Sequence, residues 1–190
     1  LDVYSSECRH GTGYTLIKAG YKGIDSCAAY YVPMGATHEV WRVEVTNKSD
    51  KPRKISALSY CEFTTESNYE QDLVNLQYTQ FITTTTFHDD FILQHINQYC
   101  HVGENGENGS ERFFGLVGAK TASWCGDKAG FLGPYRQYGN PVGVERGDLG
   151  NLSNYNGNSC GALSAVVELA PGEAVTVAFL LGQVASAESA

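Results

Sequence analysis

Acidic side chains form the densest group of chemically capable residues in the sequence. They are Glu62, Glu66, Glu70 and Asp72, with the pair Asp89-Asp90 further along. Two carboxyl groups about 5–9.5 Å apart can cleave a glycosidic bond that lies between them. Glu62 and Glu66 would share one face of a strand, but Thr64-Thr65 and Ser67-Asn68 between and after them indicate that the strand has ended. We therefore interpret this group as a polar loop with solvated charges.

Cysteine and histidine side chains form the second such group. The six cysteines are Cys8, Cys27, Cys61, Cys100, Cys125 and Cys160. The shortest Cys/His combinations are Cys8-Arg9-His10 and Cys100-His101, and without a C-x-x-C pair the spacing predicts no metal site. A Cys/His nucleophile pair would have to form in space, and nothing local supports one. Disulfide scaffolds are usually much shorter than this chain, so we expect reduced thiols and a cytoplasmic location.

Alternating apolar residues predict the elements that position these side chains. In residues 39–46, Trp41, Val43 and Val45 share one face, which is typical of a half-buried strand. Residues 55–63 alternate in the same way, and the polar connection 47–52 predicts that the two strands form a hairpin. Further strands are expected at 76–87, 91–99 and 112–118, and a second hairpin at 163–169 and 174–181.

The glycine distribution argues against helix. Of the 21 glycines, 16 follow residue 95, and each glycine inside a helix costs roughly 1 kcal/mol relative to alanine. Only residues 70–78 could form one or two helical turns. The sequence therefore predicts an all-β, antiparallel sandwich with little helix.

Length and charge exclude several classes of protein. The chain has 190 residues and a formal charge of −8, from 13 basic and 21 acidic residues. No basic face or tail is available to neutralise phosphates, so we expect no nucleic-acid partner. The longest strongly apolar stretch, residues 177–181, is too short to span a bilayer, and no signal peptide is visible, so we expect no membrane association.

Five segments carry motifs whose order and spacing match a known family. They are Glu7-Cys-Arg-His-Gly-Thr-Gly-Tyr-Thr15, Gly23-Ile24 with Tyr30-Tyr-Val-Pro33, Glu39-Val-Trp-Arg-Val-Glu-Val-Thr-Asn-Lys-Ser-Asp50, Ser59-Tyr-Cys-Glu-Phe63 with Asn68-Tyr-Glu-Gln71, and Glu168-Leu-Ala-Pro-Gly-Glu173 with Ala178-Phe-Leu-Leu-Gly182. In this order they resemble the N-terminal domain of glycoside hydrolase family 94, the cellobiose and cellodextrin phosphorylases.

The resemblance implies a fold and a reaction. The fold is an antiparallel β super-sandwich related to galactose mutarotase, with residues 1–190 forming a single domain or part of one. The reaction is inverting phosphorolysis, in which a β-glucan oligosaccharide and inorganic phosphate give α-glucose 1-phosphate and a shortened sugar. The family needs no cofactor, and phosphate is its co-substrate.

The resemblance also implies that this chain is not catalytic. In the family the general acid lies in a helical barrel C-terminal to this domain, and further β structure lies upstream; neither pattern occurs in these 190 residues. We therefore expect no catalytic residue here, and a structural and dimerisation domain that is inactive alone. Its expected partners are the remaining segments of the phosphorylase, a second copy in a homodimer, and a glucan oligosaccharide.

Two groups of site residues follow from the resemblance. In the family a loop of this domain can approach the active site of the neighbouring protomer, and residues 66–75 are our candidate for it. Tyr69 would stack on a sugar while Gln71, Asp72 and Asn75 bond its hydroxyl groups. The second group is a structural motif, in which Arg9 and His10 anchor a glycine-rich bend; its members are Arg9, His10, Gly11, Gly13 and Tyr14.

Two alternative functions remain open at this point. A free-standing carbohydrate-binding β-sandwich would expose a row of aromatic side chains, drawn from the 12 tyrosines and Trp124. A mutarotase-like sugar epimerase would need a His/Glu acid–base pair in a cleft, for which His10, His38 and His95 are available.

Overall fold

The computed structural model describes residues 4–63, 83–96, 111–155 and 157–184. Within these ranges it contains eleven strands and two short helices. The strands are β1 (Ser5–His10), β2 (Tyr14–Tyr21), β3 (Ile24–Tyr31), β4 (His38–Asn47), β5 (Arg53–Glu62), β6 (Thr83–His88), β7 (Phe91–Ile96), β8 (Glu111–Val117), β9 (Thr121–Asp127), β10 (Ser159–Leu169) and β11 (Ala174–Val184). The helices are α1 (Lys128–Leu132) and α2 (Val142–Arg146).

The strands form two antiparallel sheets. The large sheet has eight strands in the order β1-β2-β3-β4-β11-β8-β7-β6, and the small sheet has three in the order β5-β10-β9. The predicted all-β, antiparallel sandwich with little helix is therefore confirmed. Among the described residues, no helix combines the length and apolar character needed to cross a membrane.

The main core lies between the two sheets. Phe114 of β8 and Phe179 of β11 are almost fully buried and stack with their ring centroids 5.8 Å apart. The small sheet contributes Leu163, which is fully buried. Gly161 lets β10 pass close to this cluster, since a Cβ there would lie 2.7 Å from the Cβ of Phe114. The alternation of apolar residues in the sequence thus places one face of each sheet in a shared core.

Both predicted hairpins are wrong. β4 pairs with β3 and β11, whereas β5 pairs with β10. β10 and β11 likewise belong to different sheets. Alternation reveals which residues of a strand are buried but not which strand is its partner. Residues 159–165 are buried on both faces, as suits a central strand of the small sheet, so the chain passes to the large sheet at 170–173.

Asn47 joins two of the connections that cross between the sheets, residues 48–52 and 170–173. Its side chain is fully buried, and its Nδ2 lies 2.8 Å from the carbonyl oxygen of Lys51 and 3.0 Å from that of Leu169. The backbone N–H of Gly172 donates to the Asn47 carbonyl at 2.8 Å. One amide group therefore donates to backbone acceptors of both connections.

The sequence predicted the strands in the middle of the chain but not the two helices. Of the strands expected at 76–87 and 91–99, residues 83–87 and 91–96 are observed in β6 and β7, and the rest lie outside the described residues. The strand expected at 112–118 is observed as β8. β6 and β7 form a hairpin through Asp89-Asp90, both with positive φ (48° and 70°), as the two central residues of a type I′ turn require. The possible helix at 70–78 lies outside the described residues. α1 and α2 were not predicted; Asp127 caps α1 by accepting hydrogen bonds from the N–H groups of Ala129 and Gly130.

The two ends of the sandwich differ in their connections. At the Asn47 end, where β4 ends and β5 begins, the connections are short: 22–23, 48–52, 89–90, 118–120 and 170–173. At the Glu62 end, where β5 ends and β4 begins, the connections are 11–13, 32–37 and 128–158. The strand ends that flank residues 64–82 and 97–110 also lie at the Glu62 end. Topology therefore brings the first hairpin tip and the end of β5 to the same end of the molecule.

Candidate functional site

Glu62 is the centre of a polar cluster at the Glu62 end. Tyr60 donates a hydrogen bond to its Oε1 at 3.1 Å, and Lys128 Nζ lies 3.0 Å from its Oε2. The hydroxyl of Tyr138 also donates to Oε1. Glu62 is thus the last residue of a strand, held by side chains far along the chain, rather than part of the solvated loop that its sequence neighbours suggested.

Electrostatics keep the Glu62 carboxylate ionised. Partial burial acts to raise its pKa, but the hydrogen bonds from Tyr138, Lys128 and Tyr60 outweigh burial, so the pKa of Glu62 lies below its ordinary value. Burial similarly acts to lower the pKa of Lys128, yet its contacts with Tyr138 and Glu62 raise it. A carboxylate stabilised in this way accepts hydrogen bonds but is a poor proton donor at neutral pH.

The segment containing α1 and α2 packs on the outer face of the small sheet. Phe131 of α1 stacks on Tyr60, with ring centroids 4.6 Å apart and an interplanar angle of 17°. Phe131 and Leu149 join buried Cys125, Cys160 and Ala162 in a second apolar cluster. This packing is what brings Lys128 and Tyr138 to Glu62.

A shallow groove adjoins Glu62 on the side of the large sheet. Phe63 and Leu181 supply its apolar lining, and Thr37, Arg112 and Gln183 supply polar groups. An apolar surface with a few polar groups is the general composition of a small-molecule site. The groove therefore could hold a polar ring or a side chain of a partner.

The three histidines considered for a sugar epimerase lie apart from one another, each with its own neighbours among the described residues. His95 Nε2 lies 2.7 Å from Thr86 Oγ1 and its Nδ1 lies 2.7 Å from Glu111 Oε1, so both ring nitrogens are engaged within the sheet. His10 Nδ1 lies 3.0 Å from Thr15 Oγ1, and the ring of His38 lies 6.5 Å from that of Phe113. Within the described ranges, no His/Glu pair faces across an open cleft.

The predicted structural motif forms the first hairpin tip. β2 begins at Tyr14, and the N–H of Gly11 donates to the Tyr14 carbonyl at 2.8 Å. A Cβ at Gly11 would lie 2.5 Å from the exposed Tyr14 ring, so a larger residue there would displace that ring. Arg9 pairs with Glu7, and every residue from Arg9 to Tyr14 is exposed, Gly13 included. The anchoring role of Arg9 and His10 stays a prediction.

The predicted sugar-contacting residues lie outside the described residues. They are Tyr69, Gln71, Asp72 and Asn75, between β5 and β6. The two strand ends on either side of them, Glu62 and Thr83, both lie at the Glu62 end.

The cysteines are free thiols where they are described. Cys61, Cys125 and Cys160 are buried, and burial raises the pKa of Cys61 to about 12. In the part of the chain that the structure describes, no three His, Cys, Asp or Glu side chains are grouped to hold a metal ion. The buried thiols act as small apolar groups of the core.

Sequence reasoning missed Lys128 and Tyr138 because they meet Glu62 only in the folded chain. Tyr138 lies 76 positions from Glu62, and no spacing rule links residues so far apart. The one local signal was Asp127, a favourable helix N-cap before Lys128.

Comparisons with known proteins fit this fold. The family model of the glycosyl hydrolase 94 supersandwich domain matches residues 2–190. An N,N'-diacetylchitobiose phosphorylase from Vibrio furnissii is 34% identical over 182 residues, covering 96% of this chain and 22% of that protein. A solabiose phosphorylase from Paenibacillus borealis is 32% identical over 190 residues, covering 100% of this chain and 23% of that protein.

A solved structure of a polysaccharide lyase shares the fold. Its TM-score is 0.54 at 11% identity, over 91% of this chain and 22% of the lyase. The chain spans less than a quarter of the length of each of the two phosphorylases named above. The match of the family model across almost every residue shows that the chain belongs to the glycosyl hydrolase 94 supersandwich domain family.

Proposed function

We propose that this chain is the non-catalytic supersandwich domain of an inverting phosphorylase of β-linked sugars, with inorganic phosphate as co-substrate. The observation that carries the proposal is the family match over residues 2–190. The two relatives named above are phosphorylases of different disaccharides. We therefore assign only the substrate class, a β-linked oligosaccharide. The specificity for cellobiose or cellodextrin expected from the sequence is not assigned.

The chemistry of phosphorolysis argues against Glu62 as the catalytic acid. A phosphate oxygen attacks the anomeric carbon while a carboxylic acid donates its proton to the leaving oxygen. Such an acid must be protonated at neutral pH, which requires a raised pKa. The pKa of Glu62 is lowered instead, so the best-placed carboxyl group of the described residues is unsuited to that role.

The proposed contribution of this domain is to the site of a neighbouring protomer in a homodimer. Residues 66–75 join strand ends at the Glu62 end, and Tyr69, Gln71, Asp72 and Asn75 offer one ring and several hydrogen-bonding groups. These are the groups that hold a neutral sugar. The domain would then shape the acceptor subsite without taking part in bond cleavage.

Replacing Tyr69 in the complete phosphorylase tests this contribution. Tyr69→Ala should lower kcat/KM for the acceptor sugar about tenfold, since a lost stacking contact and hydrogen bond together cost about 1.4 kcal/mol. Thermal unfolding should be unchanged. The matched control is Tyr21→Ala, which removes an exposed tyrosine at the Asn47 end. Unchanged kinetics of Tyr69→Ala with every acceptor would contradict the role of this loop in the acceptor subsite. Sedimentation of the complete enzyme as a monomer would contradict the proposed homodimer.

A further inference from the structure

Tyr135 is an aromatic residue whose position nothing within the described chain explains. Its side chain is fully exposed (106%), so burial contributes nothing to its placement. Its φ of 58° lies in the left-handed region, which is unfavourable for a residue with a bulky side chain. A strained backbone that presents a bare aromatic ring to solvent points to a contact with something outside the chain.

The loop that carries Tyr135 is held in one conformation. This loop, residues 133–140, follows α1 and is closed by a hydrogen bond of 3.2 Å from the Gln137 N–H to Asn140 Oδ1. Arg136 forms an ion pair of 2.6 Å with Glu145 of α2. Tyr138 donates to Glu62 while leaving 56% of its surface exposed. Contacts at both ends of the loop thus fix the backbone that presents the two tyrosines.

The composition around the two rings suits a sugar. The exposed neighbours of Tyr135 and Tyr138 in the loop are Pro134, Gln137, Gly139 and Asn140, so small and amide-bearing residues surround the rings. An exposed ring beside amide groups suits a neutral polyol, because the ring covers the C–H face of a pyranose while amides bond its hydroxyl groups.

We propose that loop 133–140 is a glycan-binding platform, in which Tyr135 and Tyr138 stack on the rings of a β-linked oligosaccharide and Gln137 bonds its hydroxyl groups. The choice of a β-linked sugar rests on the proposed function; the existence of the platform rests on the loop. Glu62 acts as a positioning residue, since its hydrogen bond to Tyr138 fixes one end of the loop on β5. The platform is separate from residues 66–75 and takes no part in bond cleavage.

Titration of this 190-residue chain with cellotetraose and with chitotetraose tests the platform. Calorimetry should show saturable binding of at least one of them, with a dissociation constant on the order of 1 mM. Tyr135→Asn is the critical variant, because asparagine accepts a positive φ and the fold should persist. It should bind at least about fivefold more weakly, whereas Tyr135→Phe should stay within about twofold of the wild type. The matched control, Tyr155→Asn, changes an exposed tyrosine outside the loop and should bind as the wild type does.

Three results would overturn the platform. One is unchanged affinity in folded Tyr135→Asn, as judged by circular dichroism. Another is the absence of saturable binding of either sugar to the folded wild-type chain. The third is a Tyr135→Asn variant whose self-association changes while its sugar binding does not, since that would make the loop a protein contact. Phosphorolysis by the complete enzyme is measured separately, so loss of the platform and loss of the proposed function give different results.

Discussion

At the scale of single residues, Glu62 and Asn47 hold opposite ends of the sandwich by different means. Glu62 is a half-exposed carboxylate with three donors, one of them the ammonium of Lys128. Asn47 is a fully buried amide whose Nδ2 donates to backbone carbonyls and whose Oδ1 accepts from Ser49. A buried amide has no water to replace lost partners, whereas a half-exposed carboxylate does. Asn47 should therefore matter more for stability than Glu62.

Asn47→Ala should destabilise the chain by about 2–4 kcal/mol, because it leaves the buried Leu169 carbonyl oxygen and the Lys51 carbonyl oxygen without their donor. The free energy of unfolding in urea measures this loss. Asn158→Ala is the matched control, since Asn158 is exposed, and should change stability by less than about 0.5 kcal/mol. Equal effects of the two substitutions would contradict the joining role of Asn47.

Glu62→Gln should lower stability by about 1 kcal/mol at neutral pH, and the loss should vanish in acid. The pKa of Glu62 is lower in the folded chain, so the folded state binds fewer protons than the unfolded state. Its contribution is therefore complete above the unfolded pKa of about 4.5 and disappears as the pH falls through the lower folded value.

Urea unfolding of Glu62→Gln and the wild type between about pH 7 and about pH 3 measures this convergence. Glu168→Gln is the control, because Glu168 is exposed and pairs with exposed Lys54; its effect should be near zero throughout. A difference for Glu62→Gln that grows in acid would show that the sign of the pKa shift is wrong.

At the scale of elements, the connections 48–52, 118–120 and 170–173 leave one sheet and enter the other. Gly172 lies in the last of them with a φ of 79°. No atom lies within 4 Å of a Cβ built on Gly172, and the same is true of Gly139, whose φ is not positive. The two glycines therefore differ in backbone conformation but not in available space.

Gly172→Ala should destabilise the chain by about 1 kcal/mol through backbone strain alone. Gly139→Ala should be neutral or slightly stabilising, since it restricts the unfolded chain without strain. Thermal unfolding of the two variants compares them directly. If both shift the Tm alike, the crossing connection does not depend on a left-handed glycine.

Sequence reasoning succeeded where the signal was local and failed where it was not. Alternation at Trp41, Val43 and Val45 identified a strand and its buried face, because the period of two is a property of one segment. Sequence reasoning wrongly paired that strand with residues 55–63. Asn47 is a typical turn residue in sequence, and nothing local indicates that its buried amide lies where the chain crosses to the other sheet. The partners of Glu62 were missed for the same reason: Lys128 and Tyr138 meet it only through the packing of α1 on the small sheet.

At the scale of the whole molecule, the two ends of the sandwich have different tasks. Short connections close the Asn47 end, which contributes stability. The Glu62 end gathers the first hairpin tip, the Glu62 cluster and loop 133–140, together with the strand ends that flank residues 64–82. Loops carried at one end of a packed sandwich suit the scaffold role proposed above.

The most direct test of the scaffold role is phosphorus-31 NMR of phosphorolysis. The 190-residue chain and a complete phosphorylase that contains it are each mixed with inorganic phosphate and cellobiose, N,N'-diacetylchitobiose or solabiose. Our account predicts a sugar 1-phosphate signal from the complete enzyme with at least one disaccharide, and none from the chain alone. Sugar 1-phosphate accumulating with the purified chain by itself would mean that the catalytic acid lies within these 190 residues, and the account would be wrong.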